Sequence, residues 1–455
     1  MSETPSEKPR ENKMGTMPVP KLLLTMSIPI MISMLVQALY NIVDSMFVAR
    51  LSEDALTAVS LAFPVQNFMI AVGTGTGVGV NALVSRALGE RNRERANKTA
   101  GCGLYLAIFS GIFFLIISQL FGRAFFAIQT DAKQIVDYGE DYIKIVAGFS
   151  CFLFLEIMVE RLLQSTGRTV DSMITQLSGA LTNIILDPIM IFGLFGFPRM
   201  EVAGAALATI TGQGVGVIIG FILNVRQNRE LHISLRRYTP QWKFIKRIYA
   251  IGIPSIIMVS VGSVMNFFMN KILLSYSTTA AAVFGVYFKL QSFVFMPIFG
   301  LNNGMVPIVG YNYGARKKER ITQTLKLAIF YALCIMILGT ILFETQPARL
   351  LAIFSASENM LSIGVPAIRI IAIHFCLGAF SIVCSSFFQA LGHGGLSLIN
   401  SLIRQLFVLL PCAFILSKLG GLGAVWWSFP IAELVAVMLC SFFLKWIYRK
   451  EIVPL

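Results

Sequence analysis

Apolar runs of about 20 residues or more recur along the whole chain, separated by short charged or turn-rich breaks. As an α-helix, a run of that length crosses the hydrocarbon core of a bilayer. The pattern predicts about twelve helices, near 22–50, 55–84, 97–121, 136–159, 170–195 and 203–225, then near 247–275, 280–311, 322–345, 360–385, 395–417 and 422–447. This is the pattern of an all-α polytopic membrane protein. The first run carries a polar stripe: Gln37, Tyr40, Asn41 and Asp44 fall at i, i+3, i+4 and i+7, one face of a helix, and Ser33 extends the face by a turn. A carboxylate inside a membrane span costs about 3 kcal/mol even on lenient insertion scales, so it normally faces protein or a water-filled cavity. Asp44 is therefore the first functional candidate, set against the plainer reading that it sits at headgroup level.

The second pattern is an internal repeat at a shift of about 225 positions without a gap. Ile28 and Pro29 fall on Ile253 and Pro254, Asn41 on Asn266, Gln66 on Gln291, Gly75 on Gly300 and Gly79 on Gly304. The register holds through Gly89, Arg91, Glu94 and Arg95 on Gly314, Arg316, Glu319 and Arg320, and on to Cys151 on Cys376, Gln164 on Gln389 and Gly167 on Gly392. Each half holds an even number of helices, so both enter the membrane from the same side. The sequence thus predicts two parallel six-helix repeats related by a pseudo-two-fold axis along the membrane normal. The expected organisation is an amino-terminal tail (1–21), a first lobe (22–225), a linker (226–246), a second lobe (247–447) and a tail (448–455). The linker is either an interfacial helix around Trp242 or a solvated connection.

Composition agrees with a membrane protein and changes the reading of charge. The chain is 56% hydrophobic and 13% charged, about half the charged share of soluble domains. The net charge of +14 would suggest nucleic acid, yet the cations gather in alternate loops: the tail, 86–98, 226–247, 316–326 and 445–450. By the positive-inside rule that is a topology signal, placing both termini in the cytoplasm of a plasma-membrane protein, with membrane lipid rather than nucleic acid around it. Residues 1–20 resemble neither a signal peptide nor a transit sequence. The seven cysteines lie in apolar runs without a C-x-x-C pair, and the three histidines do not cluster, so no cofactor is expected.

The intramembrane charges break the repeat. The mates of Asp44, Asp187 and Glu160 are Met269, Cys412 and Ser385. Asp187 ends a second stripe, Gln176, Asn183, Asp187, and the helices of Asp44 and Asp187 run in the same direction with both aspartates in their outer halves. The expected result is one polar pocket in the first lobe. Carboxylate and amide oxygens at Asp44, Asp187 and Asn183 suit a sodium ion, and burial disfavours a charged carboxylate enough to permit proton exchange instead; the alternative is that Asp187 and Pro188 only break a helix. In the second lobe, Arg404 and Glu433 on neighbouring spans read as a structural ion pair, with Lys289 a further intramembrane cation. Pro29 and Pro254 occupy matching positions in the first helix of each half and favour kinks there.

With these residues in place, the chain resembles the multidrug and toxic compound extrusion family. The resemblance rests on the duplicated plan together with Ser27-Ile-Pro29, Gln37 to Asp44, Gly73-Thr-Gly-Thr-Gly-Val-Gly79, Gln164-Ser-Thr-Gly167, Asn183 to Pro188 and Val202 to Ala208. It implies an antiporter exporting organic cations and drugs against protons or sodium, with coupling at Asp44, Asp187 and Asn183 and a helix-4 glutamate at Glu160. Gln37, Tyr40 and Asn41 would complete the site, Pro29 would serve as hinge, and a two-lobed chain can work as a monomer. The rivals are a flippase for lipids or lipid-linked saccharides, an exporter of one narrow metabolite, an uptake symporter, a channel and a membrane enzyme. No catalytic constellation supports the last of these.

Overall fold

The computed structural model describes residues 12–234, 237–354 and 356–455. The tail cations Lys8 and Arg10 lie outside that range, as do positions 235–236 of the linker. Among the described residues ten helices are long and apolar enough to span a membrane, and two bent pairs, each taken as one span, bring the number to twelve. The α-helices in chain order are a short α1 (Lys13–Thr16), α2 (Val19–Ala49), α3 (Glu53–Gly89), α4 (Arg93–Ala127), α5 (Lys133–Val146), α6 (Cys151–Ser165), α7 (Thr169–Phe192) and α8 (Glu201–Gln227), then α9 (Trp242–Leu274), α10 (Thr278–Gly314), α11 (Lys318–Thr345), α12 (Pro347–Ala352), α13 (Glu358–Ala372), α14 (His374–Ala390), α15 (Gly394–Leu402), α16 (Leu410–Val425) and α17 (Ser428–Ile447).

The repeat is visible down to single side chains. Ser52 caps α3 by accepting from Ala55 N at 3.0 Å, and its mate Ser277 caps α10 through Ala280 N at 3.0 Å. The lobes meet through α2 on α10 and α3 on α9, and the interface is two-fold in residue position. Gly300 lies against Met31, while its mate Gly75 lies against Ile256, the mate of Met31. Gly89 lies against Tyr311, and Gly314 against Arg86. A Cβ at Gly300 would stand 2.7 Å from Met31 Cα, and one at Gly314 2.2 Å from Arg86 O, so the close approach requires glycine. All these contacts fall in the helix halves nearer the face that carries the basic loops. The polar contact between the lobes farthest from that face, among the described residues, is Asn67 Nδ2 to Ser263 Oγ at 3.4 Å.

Two features depart from the sequence expectation, and one settles between its alternatives. The fourth and tenth spans are bent, α5 against α6 by 44° and α13 against α14 by 46°, where single helices over 136–159 and 360–385 are expected. α5 is the more polar segment of its pair: Glu140 pairs with Arg123 and with Lys144. The eleventh span widens into a π-helical segment at Ile403–Leu409 directly before Pro411, whose ring cannot accept the ordinary turn. Among its described residues the linker forms no helix between Gln227 and Trp242, which opens α9. Residues 228–234 and 237–241 are largely irregular and are pinned to α4, where Asn97 Oδ1 accepts from His232 N at 2.9 Å and Asn97 Nδ2 donates to Tyr238 Oη at 3.2 Å.

The amino-terminal segment is wedged between the lobes at the basic face. Asn12 donates to Thr166 O at 3.0 Å in the first lobe. From the second lobe, Asn312 and Arg320 donate to Met14 O at 3.0 and 2.9 Å, and Lys317 donates to Gly15 O at 2.9 Å.

Candidate functional site

The two polar stripes face each other inside the first lobe. Gln176 Nε2 on α7 donates to Gln37 Oε1 on α2 at 3.0 Å, tying the helices together on their polar sides. α7 and α8 then approach closely, a Cβ at Gly212 standing 2.7 Å from Gly179 O, which closes the far wall of the pocket. Asp187 is fully buried and Asn183 is 3% exposed. The Asn183 amide lies 3.3 Å from Asp187 Oδ1 and 3.3 Å from Thr209 Oγ1 on α8. With the amide turned the other way, its nitrogen meets Asp187 Oδ2 at 3.2 Å and its oxygen the Thr209 N–H at 3.1 Å, so both ends are satisfied.

Asp44 projects into the same space. Its Oδ1 is shielded from solvent and has no hydrogen-bond partner among the described residues. The Asp44 and Asp187 carboxylates lie within electrostatic reach of one another, and Tyr40 lies within reach of both. Among the described residues neither has a cationic partner, a costly arrangement for two charges in a low-dielectric site unless a proton or a cation joins them. Glu160 on α6 differs, with the Arg161 guanidinium beside it. Asn41 is exposed on the flank of α2 and takes no part in this cluster.

Several residues of the pocket carry weaker sequence signals. Glu156, one turn before Glu160, sets its Oε1 into the space left by Gly179 and Gly216. Tyr142 on α5 accepts from Gln66 Nε2 on α3 at 3.0 Å and lies within reach of Asp44. Gln66 stands out in the repeat and Glu156 by its spacing; Tyr142 and Thr209 have no such mark.

Pro29 lies within α2, which stays continuous around it. Proline has no N–H, so the Thr25 carbonyl one turn earlier loses its helical partner. The Thr169 hydroxyl at the start of α7 donates to it instead, at a long 3.4 Å, and Ser33 Oγ donates to Pro29 O at 3.0 Å. In the second lobe, Arg404 Nη1 lies 3.1 Å from Glu433 Oε2, the Ser381 hydroxyl donates to the same carboxylate, and Lys289 sits over the Phe354 ring at 5.9 Å. Among the described residues no three His, Cys, Asp or Glu side chains converge as metal ligands.

The MatE family pattern matches residues 29–189 and again 254–415, two copies in the register of the internal repeat. The chain belongs to the MatE family. Among curated relatives it is similar to the multidrug export protein MepA of Staphylococcus haemolyticus, 28% identical over 428 residues, 93% of this chain and 92% of that one. Among solved structures, a MATE protein in complex with MaL6 superposes with a TM-score of 0.89 at 26% identity, over 96% of this chain and 98% of that one. The outward-facing conformation of a multidrug resistance MATE family transporter matches with the same score and identity, over 96% and 97%. The MatE architecture and its duplication are thus common to this chain and its neighbours.

Proposed function

We propose that the chain is a secondary active multidrug efflux antiporter, exporting organic cations and drugs in exchange for protons or sodium by alternating access. The observation that carries the reading is the pair Asp44 and Asp187, two carboxylates in mutual electrostatic reach without a cationic partner, one of them with an unpartnered buried oxygen. Such a pair binds a cation or a proton readily and is left strained without one. Export of drugs is supported by the names of the relatives, and the basic loops support cytoplasmic termini in a plasma membrane. Nothing in the proposal requires catalysis or a second copy of the chain. Asn183 would supply an amide oxygen to sodium or steady the Asp187 proton, with Gln37 and Tyr40 lining the approach.

The lobes meet at the basic face, so the opposite side is the one open to substrate release. Ion entry at Asp44 and Asp187 neutralises the pocket and lets α2 and α7 close on each other. α2 then yields where its carbonyl ladder is weakest, at Thr25 and Pro29, and the change weakens drug binding.

The test is reconstitution in liposomes with a fluorescent organic cation, imposing a proton gradient and a sodium gradient separately. Transport driven by one gradient and lost in Asp187→Asn names the ion and supports coupling in the first lobe. Undiminished gradient-driven export by Asp44→Asn/Asp187→Asn would overturn the proposed site.

A further inference from the structure

A cavity of about 530 Å³ opens at the basic face, where the amino-terminal segment meets the ends of α7 and α8. The transport reading makes no use of it. Its wall includes Lys13, Arg168, Arg226, Asn228, Arg229 and the acid Glu230. Glu230 is engaged by Asn12 at 2.6 Å, and Arg168 by Asp171 and Gln227. The remaining cations are unmatched: Lys13, Arg226 and Arg229 have no ion pair or hydrogen-bond partner among the described residues, and Arg226 and Arg229 are exposed.

Lys13 is held there at a cost. Burial, and next the neighbouring Arg168 charge, push its pKa down, with Asp171 only partly opposing them. The turn before α7 makes room for it: Gly167 has φ +86°, and a Cβ there would stand 3.0 Å from Lys13 Cε. Beside the cations sits a bare acceptor. Asn228 is 3% exposed, its amide nitrogen donates to Asn224 Oδ1 at 3.2 Å, and its own Oδ1 has no partner among the described residues. Unmatched cations next to an unmatched amide oxygen fit a ligand that carries an anionic group and a hydroxyl donor together.

The surroundings indicate how such a ligand arrives. α7 and α8 run antiparallel with Thr175 beside Gly220, and the exposed Val170, Ile174, Ile222 and Val225 lie on this helix pair within about two turns of the cavity. They continue the site as an apolar strip into the membrane. We propose that the cavity binds the headgroup of an anionic phospholipid, with Lys13, Arg226 and Arg229 on the phosphate, Asn228 on a headgroup hydroxyl, and the acyl chains along the strip. Because residues 12–17 also carry the carbonyls held by Asn312, Lys317 and Arg320, a lipid seated on Lys13 strengthens the wedge between the lobes.

The full chain in neutral detergent is titrated with short-chain phosphatidylglycerol, short-chain phosphatidylcholine and inorganic phosphate, and binding is read by native mass spectrometry. Phosphatidylglycerol is expected to bind at least tenfold more tightly than either of the others. Lys13→Ala and Arg229→Gln should each weaken it by tenfold or more. Arg229 is exposed, so its variant keeps the test valid if Lys13→Ala disturbs folding. Wild-type affinity in Arg229→Gln overturns the site, and equal binding of inorganic phosphate overturns the lipid assignment in favour of a free-anion site.

Discussion

Gly300→Ala tests how the lobes are held at the basic face. The added Cβ would stand 2.7 Å from Met31 Cα and 2.8 Å from Met31 N, backbone atoms that no rotamer change can move. Overpacking of this kind costs about 1–3 kcal/mol. The cost falls only on the arrangement in which α2 and α10 touch, whereas the gain in helix propensity is common to every conformation and cancels. The ratio of molecules closed at the basic face to molecules parted there should drop by about 5- to 150-fold. Spin labels at Glu94→Cys and Glu319→Cys, exposed repeat mates on opposite lobes, report that ratio by pulsed electron paramagnetic resonance, with accessible native cysteines replaced. The expected result is a longer-distance population absent from the parent. Gly285→Ala is the control on the same helix, since a Cβ there meets nothing within 4 Å. A parental distance distribution in folded Gly300→Ala, or the same shift in Gly285→Ala, refutes the reasoning.

Three further outcomes follow from the geometry. Arg404→Met strands the buried Glu433 carboxylate and should destabilise the fold by about 3–5 kcal/mol, seen as a lower melting temperature in detergent, while Arg404→Met/Glu433→Gln recovers most of the loss. Thr169→Val removes the donor to the Thr25 carbonyl, a contact worth about 0.5–1.5 kcal/mol, and should increase bending of α2 as measured between labels at the exposed Lys21 and Leu39. Asn183→Ala removes the amide between Asp187 and Thr209, and the driving ion should then be needed at about 10-fold or more higher concentration for half-maximal export in the liposome assay; an unchanged ion dependence sets Asn183 outside the coupling site.

The repeat is legible in the sequence because its markers are residues without substitutes. Gly75 and Gly300, or Gly89 and Gly314, sit where a backbone of the other lobe leaves no room for a side chain. The stripes on α2 and α7 are legible because polar atoms at helical spacing have no other reason to lie in an apolar run. Tyr142 is harder to read, since it lies in charge-dense α5 and joins the pocket only through the packing of that helix against α3. The bend before α6 contains no proline; its break at 147–150 holds Gly148 and Ser150, and Gln119 Nε2 donates to Lys144 O at 3.2 Å beside it.

The same scaffold is used twice and its chemistry once, and α2 is the element that reconciles the two. Met269, the mate of Asp44, is fully buried, so the second lobe fills with methionine the position that the first lobe leaves charged and only partly satisfied. On the proposed mechanism, a symmetric frame lets two lobes rock on a matched interface, whereas a one-sided charge lets a single ion decide which way they rock. For that decision to reach the interface, some element must belong to both. α2 holds Asp44 in the pocket and, 13 residues or about 20 Å earlier, Met31 against Gly300. Its counterpart α9 makes the matching contact, Ile256 against Gly75, without a carboxylate at the other end. On the proposed mechanism, the sensitivity of the basic face to the coupling ion therefore passes through the α2–α10 contact and not through α3–α9. Gly300→Ala and Gly75→Ala should shift the resting distances alike, but only Gly300→Ala should blunt the response of those distances to the ion.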